Sequence, residues 1–192
     1  YVKLKESTLK NLNKFGFNTS KLFYTIAEIG INHGGDVDSA KKLIDSAVRA
    51  GADSVKFQTY LTEKRVSGDS PIFDILKQCE LPFEVFEELK KHAEGQGVEF
   101  FSTPFDDESV QCLEDIGVNM YKVASFDVVN HKLLKRITET GKTVIMSVGM
   151  ANLSEIQDAY KILKEKTDCI AILHCVSAYP ANENDANLAV IA

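Results

Sequence analysis

Six times along the chain an apolar run of strand length is followed by a stretch with helical spacing, and this alternation restricts the fold more than any other feature. The runs lie at 23–32, 54–60, 98–103, 120–125, 143–148 and 169–176. Between them, Asp36 or Asp38 can cap a helix with Val37, Ala40, Ile44, Ala47 and Val48 on one face, ending at Gly51. Phe83, Phe86, Leu89 and Ala93 keep the same period after Pro82, a helix is expected over 107–116, and Leu133, Leu134 and Ile137 mark another. Ser154 with Gln157 reads as a capping box before Ile156, Ala159, Tyr160 and Leu163. Strands that alternate with helices pair in parallel through right-handed crossovers, which is the α/β class.

A doubly wound sheet and a (β/α)8 TIM barrel both satisfy that pattern. The first strand is followed by no Gly-rich dinucleotide fingerprint, and polar residues recur at the C-terminal end of each strand, some of them at alternate, same-facing positions. In a barrel those ends converge on one site, so the barrel is the expectation. Only about six of its eight strand-helix units are present, and six strands leave a bare apolar edge. The expected organisation is an arm over 1–22, rich in Lys and Asn and assigned no chemistry, then a partial barrel over 23–192, with the remaining units outside the chain. Residues 61–81 form a charged connection with Gly68 and Pro71 and a short helix near 72–78, of a length at which loops serve as lids.

The formal charge of −6, with 28 acidic and 22 basic residues interspersed, offers no basic stripe for nucleic acid and no polybasic patch for a membrane. An anionic ligand must therefore be held locally. Cys79, Cys112, Cys169 and Cys175 show no C-x-x-C spacing, and no secretory h-region or membrane-spanning run is present, which reads as reduced thiols in a cytoplasmic protein.

Charges inside apolar strands carry the chemical argument. Glu28 in IAEIG is read as a buried carboxylate that must be paired, protonated or solvated in a site, with Gly34 and Gly35 freeing the backbone to turn or to approach a ligand. Lys56 in SVKFQTY and Lys122 in MYKVAS, read as lying on neighbouring strands, call for a fixed phosphate or carboxylate, unless each snorkels outward or pairs with an acid such as Glu28. Thr103, Ser125, Ser147 and Ser177 place short donors near the same level, as an oxyanion site requires, although a single strand-end Ser also suits a turn. Asp127 is a further candidate proton carrier. His33 and His174 lack metal-ligand spacing, so no metal ligand is assigned.

At these residues the chain resembles the N-acetylneuraminate (sialic acid) synthase family, which includes legionaminic and pseudaminic acid synthases. The resemblance rests on AEIGINHGGD at 27–36, AGADSVKFQTY at 50–60, FFSTPFDDESV at 100–110, YKVAS at 121–125, SVGMANLSEI at 147–156 and LHCVSAYPANENDANL at 173–188. It implies a (β/α)8 barrel that condenses phosphoenolpyruvate with an N-acetylated amino sugar such as N-acetylmannosamine, releasing phosphate with the help of Mn2+ or Mg2+. By the same resemblance Lys56, Thr103, Lys122, Ser125 and Ser147 would hold phosphoenolpyruvate, with Ser177 nearby. Glu28 and Asp127 would be the catalytic carboxylates, Phe105 and Tyr179 would line the sugar end, and Gln58 would support the site. The metal ligands and an antifreeze-like C-terminal domain would lie outside this chain, and the full-length protein would be a homodimer. Asp127 stands where the family usually has Glu, Ser177 stands where some members have Asn, and YKVASFD resembles the pseudaminic acid synthases. A diacetamido-trideoxyhexose is therefore the alternative sugar. A heptulosonate-type synthase is disfavoured by HCVSAYP, and a catalytically dead barrel used as a binding module is the alternative from another class.

Overall fold

The computed structural model describes residues 24–191. The arm over 1–22 and the first residue of the run at 23 lie outside them. The chain divides into two compact units, the first running to Asn119 and the second starting at Met120.

In the first unit β1 (Ile26–Gly30), β2 (Ser54–Thr59) and β3 (Glu99–Pro104) pair in parallel in chain order. Helix α1 (Val37–Arg49) begins at Asp36, whose carboxylate accepts from the Ser39 N–H at 2.7 Å, and buries Ala40, Ile44 and Ala47 as its spacing requires. The connection after β2 holds two short helices, α2 (Thr62–Arg65) and α3 (Phe73–Cys79). Glu80 pins its ends together by accepting from the Thr62 N–H at 2.7 Å and the Thr62 hydroxyl at 2.6 Å. Pro82 precedes a 3-10 turn, Phe83–Val85, that leads into α4 (Phe86–Glu94), and α5 (Asp107–Asp115) follows β3. Phe57 and Phe100 stack in the core with centroids 5.1 Å apart, and Phe86, Leu89 and Leu113 are fully buried.

In the second unit β4 (Met120–Val123), β5 (Thr143–Ser147) and β6 (Ile170–Leu173) likewise pair in parallel in chain order. A 3-10 helix, Ser125–Val129, follows β4 and precedes α6 (His131–Thr138), which buries Leu133, Leu134 and Ile137. Helix α7 (Leu153–Lys164) carries a capping box, but its members are Asn152 and Glu155 and not Ser154 and Gln157. Asn152 is as good an N-cap as Ser, and Ser154 donates its hydroxyl to the Asn152 carboxamide at 2.7 Å. The apolar edge foreseen in the sequence is present: β5 is buried throughout, whereas Ile172 and Leu173 of β6 are 44% and 39% exposed. Six parallel strands alternating with helices confirm the α/β class. Among the described residues no helix is long and apolar enough to cross a membrane.

Candidate active site

In the first unit, register places Glu28 of β1 beside Lys56 of β2, and the pairing shifts between Glu28 and Gly30. Gly30 has φ +57°, and a Cβ there would lie 3.1 Å from Glu28 Oε1 and 3.6 Å from Gln58 Nε2. Its bare α-carbon therefore leaves room for the Glu28 carboxylate, while Gln58 lies at ordinary contact distance. Lys56 Nζ lies 2.9 Å from Glu28 Oε2 and donates to Thr103 Oγ1 at 3.0 Å. The lysine side chain is 7% exposed and the glutamate 56% exposed. Glu28 is thus not the buried charge expected from its apolar neighbours; the buried charge of the pair is Lys56. Burial pulls the Lys56 ammonium below the usual lysine range, the Glu28 carboxylate opposes that shift, and the Arg65 charge adds to it.

Gln58 stands opposite Thr103 in the register, and its Oε1 accepts from Arg65 Nη1 at 3.0 Å. The Arg65 guanidinium carbon sits 3.9 Å from the Phe105 ring centroid and 4.5 Å from that of Tyr60. Phe105 is 8% exposed. Sequence reasoning missed Arg65, which lies in the connection read as a lid; its signal was an arginine five residues past Tyr60, the aromatic that closes strand 2. Gly35 serves the turn, the first of the two roles expected of it, with φ +82°. A Cβ there would come within 2.1 Å of the Gln78 carbonyl oxygen, so the close approach that this glycine permits is to the chain's own backbone at α3. His33 is buried, its Nδ1 accepts from the Gly35 N–H at 3.1 Å, and its ring stacks on Phe57 at 5.8 Å.

The second unit repeats the device. Lys122 Nζ donates to Ser147 Oγ at 2.6 Å and to the Val123 carbonyl at 2.8 Å. The Ser125 hydroxyl accepts from the Gly149 N–H at 3.1 Å, and Asp127, 6% exposed, accepts from Asn130 Nδ2 at 3.2 Å through Oδ1. Gly149 lets the segment after β6 approach closely: a Cβ there would meet the Cys175 carbonyl oxygen at 2.7 Å and Ser177 Oγ at 2.8 Å. Ser177 is exposed, and Tyr179, at 98% exposure, packs against nothing among the described residues. His174 is exposed, with Nε2 2.9 Å from the Ala186 carbonyl. Lys56 and Lys122 do not lie on adjacent strands as the sequence suggested, because β2 pairs with β1 and β3 and Lys122 belongs to β4. What they share is local: each lysine is bonded to a hydroxyl on the next strand, the arrangement of a fixed cation for an oxyanion.

The sequence model of the NeuB family matches residues 43–192. This chain belongs to the NeuB family. It is 44% identical to an uncharacterised protein of Methanocaldococcus jannaschii over 88% of the chain and 50% of that protein. It is 38% identical to the N,N'-diacetyllegionaminic acid synthase of Campylobacter jejuni over 85% of the chain and 54% of that enzyme. Among solved structures, the N-acetylneuraminic acid synthetase of Leptospira borgpetersenii, crystallised with citrate, matches with a TM-score of 0.85 at 41% identity, covering 88% of this chain and 60% of that one. The NeuB-family chain thus spans about half the length of these curated relatives.

Proposed function

We propose that this NeuB-family chain carries phosphoenolpyruvate-binding residues of a nonulosonic acid synthase. In the reaction proposed, the methylene carbon (C3) of phosphoenolpyruvate attacks the aldehyde carbon of an open-chain N-acetylated amino sugar, whose oxygen takes up a proton. Water adds at C2, the carbon that bears the phosphate, and phosphate leaves with its bridging oxygen as the C2–O bond breaks. The observation that supports this most directly is Lys56, 7% exposed and bonded to both Glu28 and Thr103. A cation is kept in so dry a place at a cost to the fold, and an anionic substrate supplies the reason. In the second unit Lys122, half-buried, donates to Ser147, and Ser125 accepts from the Gly149 N–H; these are further residues proposed to hold phosphoenolpyruvate. Phosphoenolpyruvate presents two oxyanion groups, a phosphate and a carboxylate. Glu28, exposed and touching the buried ammonium, and Asp127, held by Asn130, are the carboxylates proposed to move protons. The barrel would be the eight-stranded one when its remaining units are present.

N-acetylmannosamine is the sugar proposed first. The Campylobacter relative is named for a diacetylated product and the Leptospira structure for N-acetylneuraminic acid, so a diacetamido-trideoxyhexose is the alternative. The divalent ion of the resemblance, Mn2+ or Mg2+, meets no group of three or more His, Cys, Asp or Glu side chains fit to hold it among the described residues. Its ligands are proposed to lie outside this chain, and the roles assigned here are those of the chain's own side chains. A homodimer and a cytoplasmic location belong to the same proposal.

In the full-length protein, Lys122→Ala is expected to weaken phosphoenolpyruvate binding about tenfold to a hundredfold, the loss of one charge-assisted contact. It should leave the circular dichroism spectrum unchanged, because Lys122 is only part-buried. Calorimetric titration checks this, and unchanged affinity would remove Lys122 from the anion site.

A further inference from the structure

We propose that Arg65 is a second fixed cation of the anion site around Lys56, aimed by Tyr60, Phe105 and Gln58 so that its guanidinium binds an oxyanion of the substrate. The inference rests on the phosphoenolpyruvate reading above and adds to it a residue that the strand-end motifs do not contain.

Helix α2 is a single turn, and its three charged side chains have different fates. Glu63 pairs with Lys77 at 3.0 Å, and Lys64 pairs with Glu108. Arg65 turns back over the ends of β2 and β3, with its guanidinium carbon over the Phe105 and Tyr60 rings, which stand at 79° to each other. One of its N–H groups donates to Gln58. The platform under it is rigid. Leu61 N–H donates to Asp106 Oδ2 at 2.9 Å, Thr62 is held twice by Glu80, and the Tyr60 hydroxyl donates to the Leu76 carbonyl at 2.8 Å. An arginine so restrained has already lost its rotamer freedom, which is what preorganised recognition of a planar or tetrahedral oxyanion requires.

Charge supports the same assignment. The Glu28 carboxylate favours the charge on Lys56 and the Arg65 charge opposes it, and a bound anion would favour both cations.

The test is calorimetric titration of phosphoenolpyruvate into the full-length wild type and its Lys56→Met, Arg65→Met and Arg65→Lys variants at two salt concentrations. Arg65→Met keeps an apolar side chain against the rings and removes the charge. It should weaken binding about tenfold to a hundredfold and flatten the salt dependence, an effect that loss of packing alone does not produce. Arg65→Lys keeps the charge without the fork, so it should retain the wild-type salt dependence at intermediate affinity. Wild type that binds, with Lys56→Met impaired and Arg65→Met unchanged in affinity and salt dependence, overturns the Arg65 assignment alone. Wild type that fails to bind phosphoenolpyruvate overturns the functional reading, and this inference with it.

Discussion

Lys56→Met is expected to stabilise the unliganded protein while weakening phosphoenolpyruvate binding about a hundredfold. In the fold, burial lowers the Lys56 pKa from its ordinary 10.5. Between that lowered value and 10.5 the unfolded chain binds more protons than the folded one, so stability rises with pH through the window. Below the window the full cost of the buried charge is present, and neutral pH lies on that side if the ammonium is still charged there, as anion binding demands. Replacing a buried ion pair by apolar side chains of similar size is worth about 1–4 kcal/mol. Against that gain stands about 1 kcal/mol for the Thr103 hydroxyl, 1% exposed, which loses its lysine partner. Glu28 costs little, since water already reaches it. The net gain of about 0–3 kcal/mol corresponds to a rise in unfolding midpoint of about 3 °C for each kcal/mol. Removing the fixed cation should cost about 3 kcal/mol of binding, or about a hundredfold. Thermal unfolding and calorimetry on one preparation check both effects. A lowered midpoint with intact binding would make Lys56 a structural residue.

Gly35→Ala should be among the most damaging single-methyl additions in the first unit. Gly35 has φ +82°, where an L side chain is strained, and its new Cβ would lie 2.1 Å from the Gln78 carbonyl oxygen and 3.3 Å from its carbon. Those atoms belong to the backbone of α3 and cannot rotate away. Strain and overpacking together amount to about 3 kcal/mol or more. Displacing α3 also disturbs the Leu76 carbonyl that receives the Tyr60 hydroxyl, and hence the ring beneath Arg65. Gly34→Ala is the control: its φ is +60°, no atom lies within 4 Å of a Cβ there, and about 1 kcal/mol is expected from the backbone alone. Denaturant midpoints of the two variants compare them, and equal losses would show that the contact with Gln78 contributes nothing.

What could be read from the sequence follows from where the deciding forces are local. Asp36 caps α1, and the buried faces of α1, α4 and α6 fall at their helical spacings, because a cap and an amphipathic stripe are properties of neighbours in the chain. Glu28 was misread because its apolar neighbours speak for the strand and not for the face on which residue 28 lies; the carboxylate stays in reach of water while its partner Lys56 is enclosed. Arg65 has no periodic signal. Its importance arises only when α2 turns back across the ends of two strands and brings Tyr60 of one segment and Phe105 of another under one guanidinium. The capping box moved two residues because two candidate boxes overlap in ANLSEIQ, and only the backbone shows which residue leaves the extended conformation last.

The most direct test of the synthase assignment is phosphate release from phosphoenolpyruvate by the full-length protein, supplied with Mn2+ or Mg2+ and offered N-acetylmannosamine and diacetamido-trideoxyhexoses in parallel. The synthase reading predicts phosphate released only when an acceptor sugar is present, one phosphate for each nonulosonic acid formed, and the accepting sugar names the product. Folded protein that binds phosphoenolpyruvate yet releases no phosphate with any of these sugars would contradict it and leave a binding module in its place.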